Sequence, residues 1–125
     1  MSSLEVLSIL TLHFIGDFVF QSNEVAKQKS TNYSVLFYHA SFYSSVIFLG
    51  ILCLKIYLLG FQFPLIGTAF KFFIITLIIH FITDFYTSKV NKQFYEEGKT
   101  HQFFVGIGFD QLLHFVQLIV TYNYV

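Results

Sequence analysis

Four apolar stretches, at about residues 4–20, 35–59, 65–86 and 103–122, take up most of this 125-residue chain. Each approaches or exceeds the roughly 20 helical residues needed to cross a hydrocarbon layer, the first and last being near the lower limit. The composition agrees. Hydrophobic residues make up 55% of the chain and charged residues only 11%, against about a quarter charged in soluble domains. The pattern predicts an all-α fold: a single integral membrane domain over residues 1–125, with four transmembrane helices joined by short loops.

The connections are polar and brief. SNEVAKQKSTNYS separates the first two spans and is expected to hold a helical turn or two after Ser22. FQFP separates the second and third, with Pro64 suited to the first turn of a helix. SKVNKQFYEEGKT separates the third and fourth, with Gly98 as its breaker. Loops on the cytoplasmic side carry the excess of basic residues. Lys27 and Lys29 in loop one and Lys89, Lys92 and Lys99 in loop three therefore place those loops in the cytoplasm. Lys55 and Lys71 sit near helix ends, where their ammonium groups can reach the interface. The start MSSLEVLSIL has neither the basic flank nor the cleavage site of a signal peptide, so it is expected to be retained.

Net charge is zero and no run of like charge offers a nucleic-acid surface, which argues against DNA or RNA as a partner. Cys53 is the single cysteine, so neither a disulfide framework nor a Cys-x-x-Cys pair is available. Membrane lipid is the expected partner, and self-association into a homo-oligomer is left open.

The polar residues inside the apolar stretches are not scattered. Each of the three aspartates, Asp17, Asp84 and Asp110, has a histidine four positions away: His13, His80 and His114. Chance placement of five histidines would produce this about once in 2,000 sequences by template counting. Residues four apart share a helix face, so each pair can aim an imidazole and a carboxylate at one point. His39 would add a ligand from the remaining helix. With loops one and three on one side, all seven groups fall in the same half of the bilayer.

Three unpaired intramembrane aspartates would cost about 9 kcal/mol by insertion scales, so a compensating cation is expected. Histidine nitrogen with carboxylate oxygen suits zinc, manganese or iron. Seven donors exceed the needs of one tetrahedral ion, and two ions are the preferred reading. The metal-ligand candidates are His13, Asp17, His39, His80, Asp84, Asp110 and His114. Asp17, Asp84 and Asp110 are the candidate catalytic carboxylates. Gln21, about 80 degrees round the helix from His13, and Lys27 and Lys29 at the cytoplasmic mouth are candidates for substrate binding. Gln117, seven after Asp110, either supports a ligand or bonds between helices. Thr76 is read as backbone-bonded and His101 as interfacial, while Gly16 would admit a close neighbour. The competing explanation for the whole set is His–Asp hydrogen bonding that glues the helices together.

HFIGDFVFQ (13–21), AKQK (26–29), His39, HFITD (80–84) and DQLLH (110–114), in this order, resemble the small bacterial and phage membrane proteins catalogued as domain of unknown function 3307. The resemblance covers nearly the whole chain and implies a helical membrane domain of the bacterial inner membrane in which these polar groups matter. It also implies a basic residue three after the aspartate of HFITD, where this chain has Thr87 and the next lysine is Lys89.

Three functions fit the residues. The first is a metal-dependent hydrolase, its ions activating water against a phosphoester or lipid-linked substrate of the cytoplasmic leaflet. A looser likeness to membrane-bound metal-dependent hydrolases points the same way. The second is a divalent-metal transporter or sensor, since His-x-x-x-Asp pairs also resemble the transmembrane site of cation diffusion facilitators. With four helices, two access states would call for a dimer. The third is a structural membrane adaptor, its polar seam fixing assembly.

Overall fold

The computed structural model describes residues 1–125. It is all-helical, in the order α1 (Ser3–Phe14), a π-helical turn (Ile15–Val19), α2 (Asn23–Gln28), α3 (Tyr33–Leu59), α4 (Pro64–Glu96) and α5 (Thr100–Tyr124). Local chemistry sets the boundaries. Ser2 starts α1 with a capping box, its hydroxyl accepting from the Glu5 amide while Glu5 accepts from the Ser2 backbone. Ser22 caps α2 and Asn32 caps α3 more simply, each with a side-chain oxygen that accepts from backbone amides of the first turn. Gly60 and Gly98 end α3 and the α4–α5 turn with positive φ, which a side chain would strain. Pro64 opens α4 as the sequence suggested.

Helices α3, α4 and α5 are each long and apolar enough to cross a membrane. The first apolar stretch behaves differently: it is a 12-residue α-helix that runs into a five-residue π-turn. Loop three is also shorter than expected. Helix α4 continues through Lys89 and Lys92 as far as Glu96, so only residues 97–99 connect it to α5. The segment is polar, but it lacks any glycine or proline before Gly98, and its lysines, glutamine and glutamate are good helix formers.

The bundle is built from α1, α3, α4 and α5. Helix α4 packs against both α3 and α5, while α1 leans on α3 and touches α5. The Tyr122 hydroxyl donates to Glu5 at 2.6 Å, joining the end of α5 to the start of α1. Only 24 residues are buried, and 12 of these are polar or charged. Large apolar side chains such as Phe14, Phe37, Ile82, Leu112 and Val116 point outward instead. An apolar exterior around a polar interior is what a hydrocarbon surround favours.

Within the bundle, the two halves differ. Toward the termini, Ile9, Ile47, Ile51, Phe72, Leu118 and Tyr122 form an apolar core. Toward loops one and three the interior is lined by histidine and aspartate. Tyr43 stands at the boundary, fully buried, with its ring stacked on His80 at 3.9 Å between centroids.

Candidate metal centre

Asp17 leaves the first helix from the π-turn, His39 comes from α3, His80 and Asp84 from α4, and Asp110 and His114 from α5. All six are buried. Two groups of ligand atoms form, each with its atoms within 4.8 Å of one another: Asp17, His39, His80 and Asp84, and then Asp17, Asp110 and His114. These residues could hold a metal ion.

In the first group, His39 Nε2 lies 3.1 Å from Asp17 Oδ1, 3.3 Å from His80 Nε2 and 3.4 Å from Asp84 Oδ2. His80 Nε2 lies 3.8 Å from Asp17 Oδ1 and 3.6 Å from Asp84 Oδ2. Four atoms bound at about 2.0–2.2 Å around a tetrahedral ion would sit about 3.3–3.6 Å apart. Five of the six edges of this tetrahedron therefore lie close to that spacing. Protons alone satisfy such a cluster poorly. Two imidazole nitrogens face each other and two carboxylate oxygens, and a neutral imidazole brings one N–H.

The second group is held from outside. His114 Nε2 lies 3.0 Å from Asp84 Oδ1 and 3.4 Å from Asp110 Oδ1. Thr87 Oγ1 donates to Asp110 Oδ1 at 2.5 Å. The Gln111 amide donates to Asp17 Oδ2 at 3.1 Å and to Asp110 Oδ2 at 3.0 Å. Asp17 and Asp84 thus each turn one oxygen to the first group and the other toward the second. The Nδ1 atoms of His80 and His114 have no partner, so these two rings lack the outer hydrogen bond that usually orients a ligating histidine.

His13 belongs to neither group. Its Nε2 lies 2.6 Å from Gln111 Oε1 and its Nδ1 2.7 Å from the Tyr43 hydroxyl. Since the Gln111 amide nitrogen faces the carboxylates, Oε1 must accept, so His13 donates from Nε2 and Tyr43 donates to Nδ1. The expected His13–Asp17 pair does not form because the π-turn intervenes. Residues four apart share a face only on a regular α-helix; the wider turn rotates Asp17 toward His39. His80–Asp84 and His114–Asp110, on regular helices, do meet.

Lys29 differs from its expected place at the mouth. Its ammonium donates to Asp84 Oδ2 at 2.8 Å, from the residue that ends α2. Burial opposes its charge, yet Asp84 and Asp17 outweigh that cost and hold its pKa above the usual lysine value. Lys27 and Gln21 line a cavity of about 660 Å³ that reaches from the α2 side down to Asp17, Asp84 and Asp110. Gln117 donates to Thr76 on α4 and to Thr121, and so acts as an interhelical bond. His101 is exposed.

Sequence reasoning missed Tyr43, Thr87 and Gln111. Tyr43 is four after His39, Thr87 three after Asp84, and Gln111 three before His114. The helical spacing rule applied to all polar side chains, and not only to His–Asp pairs, would have found them.

The fold and cluster together define a class: an all-helical chain with membrane-length helices around a buried histidine–aspartate centre able to take a metal ion. The chain belongs to the family described as Protein of unknown function (DUF3307), which matches residues 6–125. No curated protein and no solved structure matches it.

Proposed function

We propose that this is a four-span protein of the bacterial inner membrane, with loops one and three cytoplasmic, that binds one or two divalent ions and acts as a metal-dependent hydrolase. The single observation that carries the metal reading is the near-tetrahedral spacing of Asp17, His39, His80 and Asp84, at 3.1–3.8 Å. Zinc, manganese and iron all accept this donor set. A second ion would share Asp17 and use Asp110 and His114. The preferred substrate is a phosphoester or lipid-linked molecule of the cytoplasmic leaflet.

A divalent ion at such a site lowers the pKa of water and polarises a phosphoryl oxygen. The chain's own residues provide the rest. Asp110 borders the cavity and is oriented by Thr87 and Gln111, which suits it to take a proton from an attacking water when only the first group is loaded. His13, itself fixed by Tyr43, holds Gln111 in register. Access favours this reading over transport, since the cavity reaches the cluster from the loop side whereas the apolar core fills the other half.

Metal content by mass spectrometry on protein purified without chelators tests the reading. One to two equivalents are expected in the native chain. Asp17→Ala, which removes the carboxylate common to both groups, should lose all metal, and Asp110→Ala should retain the first equivalent. Folding of each variant is checked by circular dichroism and gel filtration. Metal at background in a folded native chain would leave the polar seam as helix glue. Phosphate release from phosphatidic acid in mixed micelles then tests the hydrolase, with no release from any metal-loaded sample counting against it.

A further inference from the structure

The lining of the cavity holds two opposed sets of charge. Lys27, Lys29 and Lys92 stand on the loop side. Asp17, Asp84 and Asp110 lie at the floor, with Glu96 near the mouth, 3.7 Å from Lys92. With neutral histidines the lining carries one net negative charge, from three lysines against four carboxylates. One divalent ion in the first group would reverse this to one net positive charge.

The reversal falls mainly on Lys29. Its ammonium now pairs with Asp84 Oδ2, the same oxygen that completes the His39–His80 tetrahedron. An ion bound there would take over that oxygen and repel the ammonium. Lys29 is only 15% exposed, and a largely buried charge that has lost its partner needs another. Its own helix, α2, packs against α3, and its flexible stem borders the cavity. Lys27 and Lys92 are there already, with Ser30 and Asn91 as neutral donors.

We propose that the cavity is a subsite for a phosphate group, assembled when metal loading releases Lys29 from Asp84. This rests on the metal reading above and specifies the chemistry of its ligand. A tetrahedral dianion meets two or three ammonium groups while staying in reach of the metal floor. The seam where the cavity lies is partly apolar. Phe18 lines it on the π-turn and Phe103 and Ile107 on α5, and the backbones of the π-turn and α5 do not come together. A phosphate carried on a lipid could place its chains along that seam, and a free phosphate could enter from the loop side.

Coupling of this kind is reciprocal: metal tightens phosphate by the factor by which phosphate tightens metal. The test titrates inorganic phosphate into detergent-purified protein with and without saturating Mn²⁺, and Mn²⁺ with and without phosphate, by calorimetry. Metal loading should tighten phosphate binding about ten-fold or more. Lys29→Met should bind Mn²⁺ several-fold tighter in the absence of phosphate, because a competing cation is gone, and should lose most of the coupling. Lys29→Arg should retain it. Lys27→Met should weaken phosphate binding in the loaded state and leave Mn²⁺ affinity alone unchanged.

Failure of the native chain to bind Mn²⁺, Zn²⁺ or Fe²⁺ would remove the metal reading and this proposal with it. Normal metal binding with phosphate affinity indifferent to metal, or with the coupling intact in Lys29→Met, would overturn this proposal alone. Repeating the Mn²⁺ titration in phosphatidylcholine nanodiscs with and without phosphatidic acid separates the sources. A Lys29-dependent tightening by phosphatidic acid assigns the phosphate to a lipid headgroup. Tightening by inorganic phosphate only assigns it to a soluble ester.

Discussion

Gln111 does more than its neutral side chain suggests. Its amide nitrogen holds Asp17 and Asp110 together while its oxygen accepts from His13. Replacement by leucine leaves two carboxylate oxygens and an imidazole N–H without partners in the interior, and each such loss costs about 1–3 kcal/mol. Gln111→Leu should therefore lower the thermal midpoint of the metal-free protein in detergent. His13→Ala should do so too, and the double variant should lose less than the sum, because the two residues share one bond. Strict additivity would show that the His13–Gln111 contact contributes nothing. The His–Asp spacing was enough to locate most of the cluster in the sequence, since two of the three pairs lie on regular helices. The roles of His13 and Lys29 were not legible. One depends on a π-turn and the other on how α2 folds back over the bundle, and neither leaves a periodic trace.

At the scale of the elements, apolar length and turn chemistry were the legible part. Pro64 begins α4, Ser22 caps the short α2, and the three long helices fall on three of the four expected stretches. The π-turn and the extension of α4 to Glu96 went unread because hydropathy reports burial in lipid and is silent on the helical pitch. Close packing explains where the first helix can sit. A side chain at Gly50 would collide with Leu12 of α1, and one at Gly16 would reach Tyr43 at 3.0 Å. Leu12 can swing aside, whereas Tyr43 is fully buried and bonded to His13. Gly16→Val should thus cost about 1–3 kcal/mol of stability by overpacking and weaken metal binding through displacement of the π-turn. Gly50→Ala should cost less and leave metal binding intact. Equal loss of metal in both would indicate that α1 packing as a whole, and not the Gly16–Tyr43 contact, positions Asp17.

Across the whole molecule, sequence and structure differ most in the first apolar stretch, which the proposed four-span arrangement would make the first traverse. Helix α1 and its π-turn total 17 residues, about 25 Å at the α-helical rise, against a hydrocarbon core of about 30 Å. The three membrane-length helices are longer, and Tyr122 near the end of α5 still bonds the start of α1, so α1 and its π-turn reach the loop side incompletely. That is where the cavity lies. A polar cavity at a shortened helix would let headgroups and water come down to Asp17 without exposing it to hydrocarbon. The proposed substrate, a cytosolic or inner-leaflet ester, requires the lysine-bearing side to face the cytoplasm, which makes orientation a direct test of that proposal. In a Cys53→Ser background, Phe61→Cys marks the α3–α4 turn and Glu97→Cys the α4–α5 turn; both positions are exposed. A membrane-impermeant maleimide should label Phe61→Cys in right-side-out vesicles and Glu97→Cys only in inverted ones. The opposite result would put the cavity on the outer face, where cytosolic esters could not reach it. Labelling of both from one side would mean that α4 does not cross the membrane, and the shared depth of the histidines and aspartates would then need a different solvent to explain it.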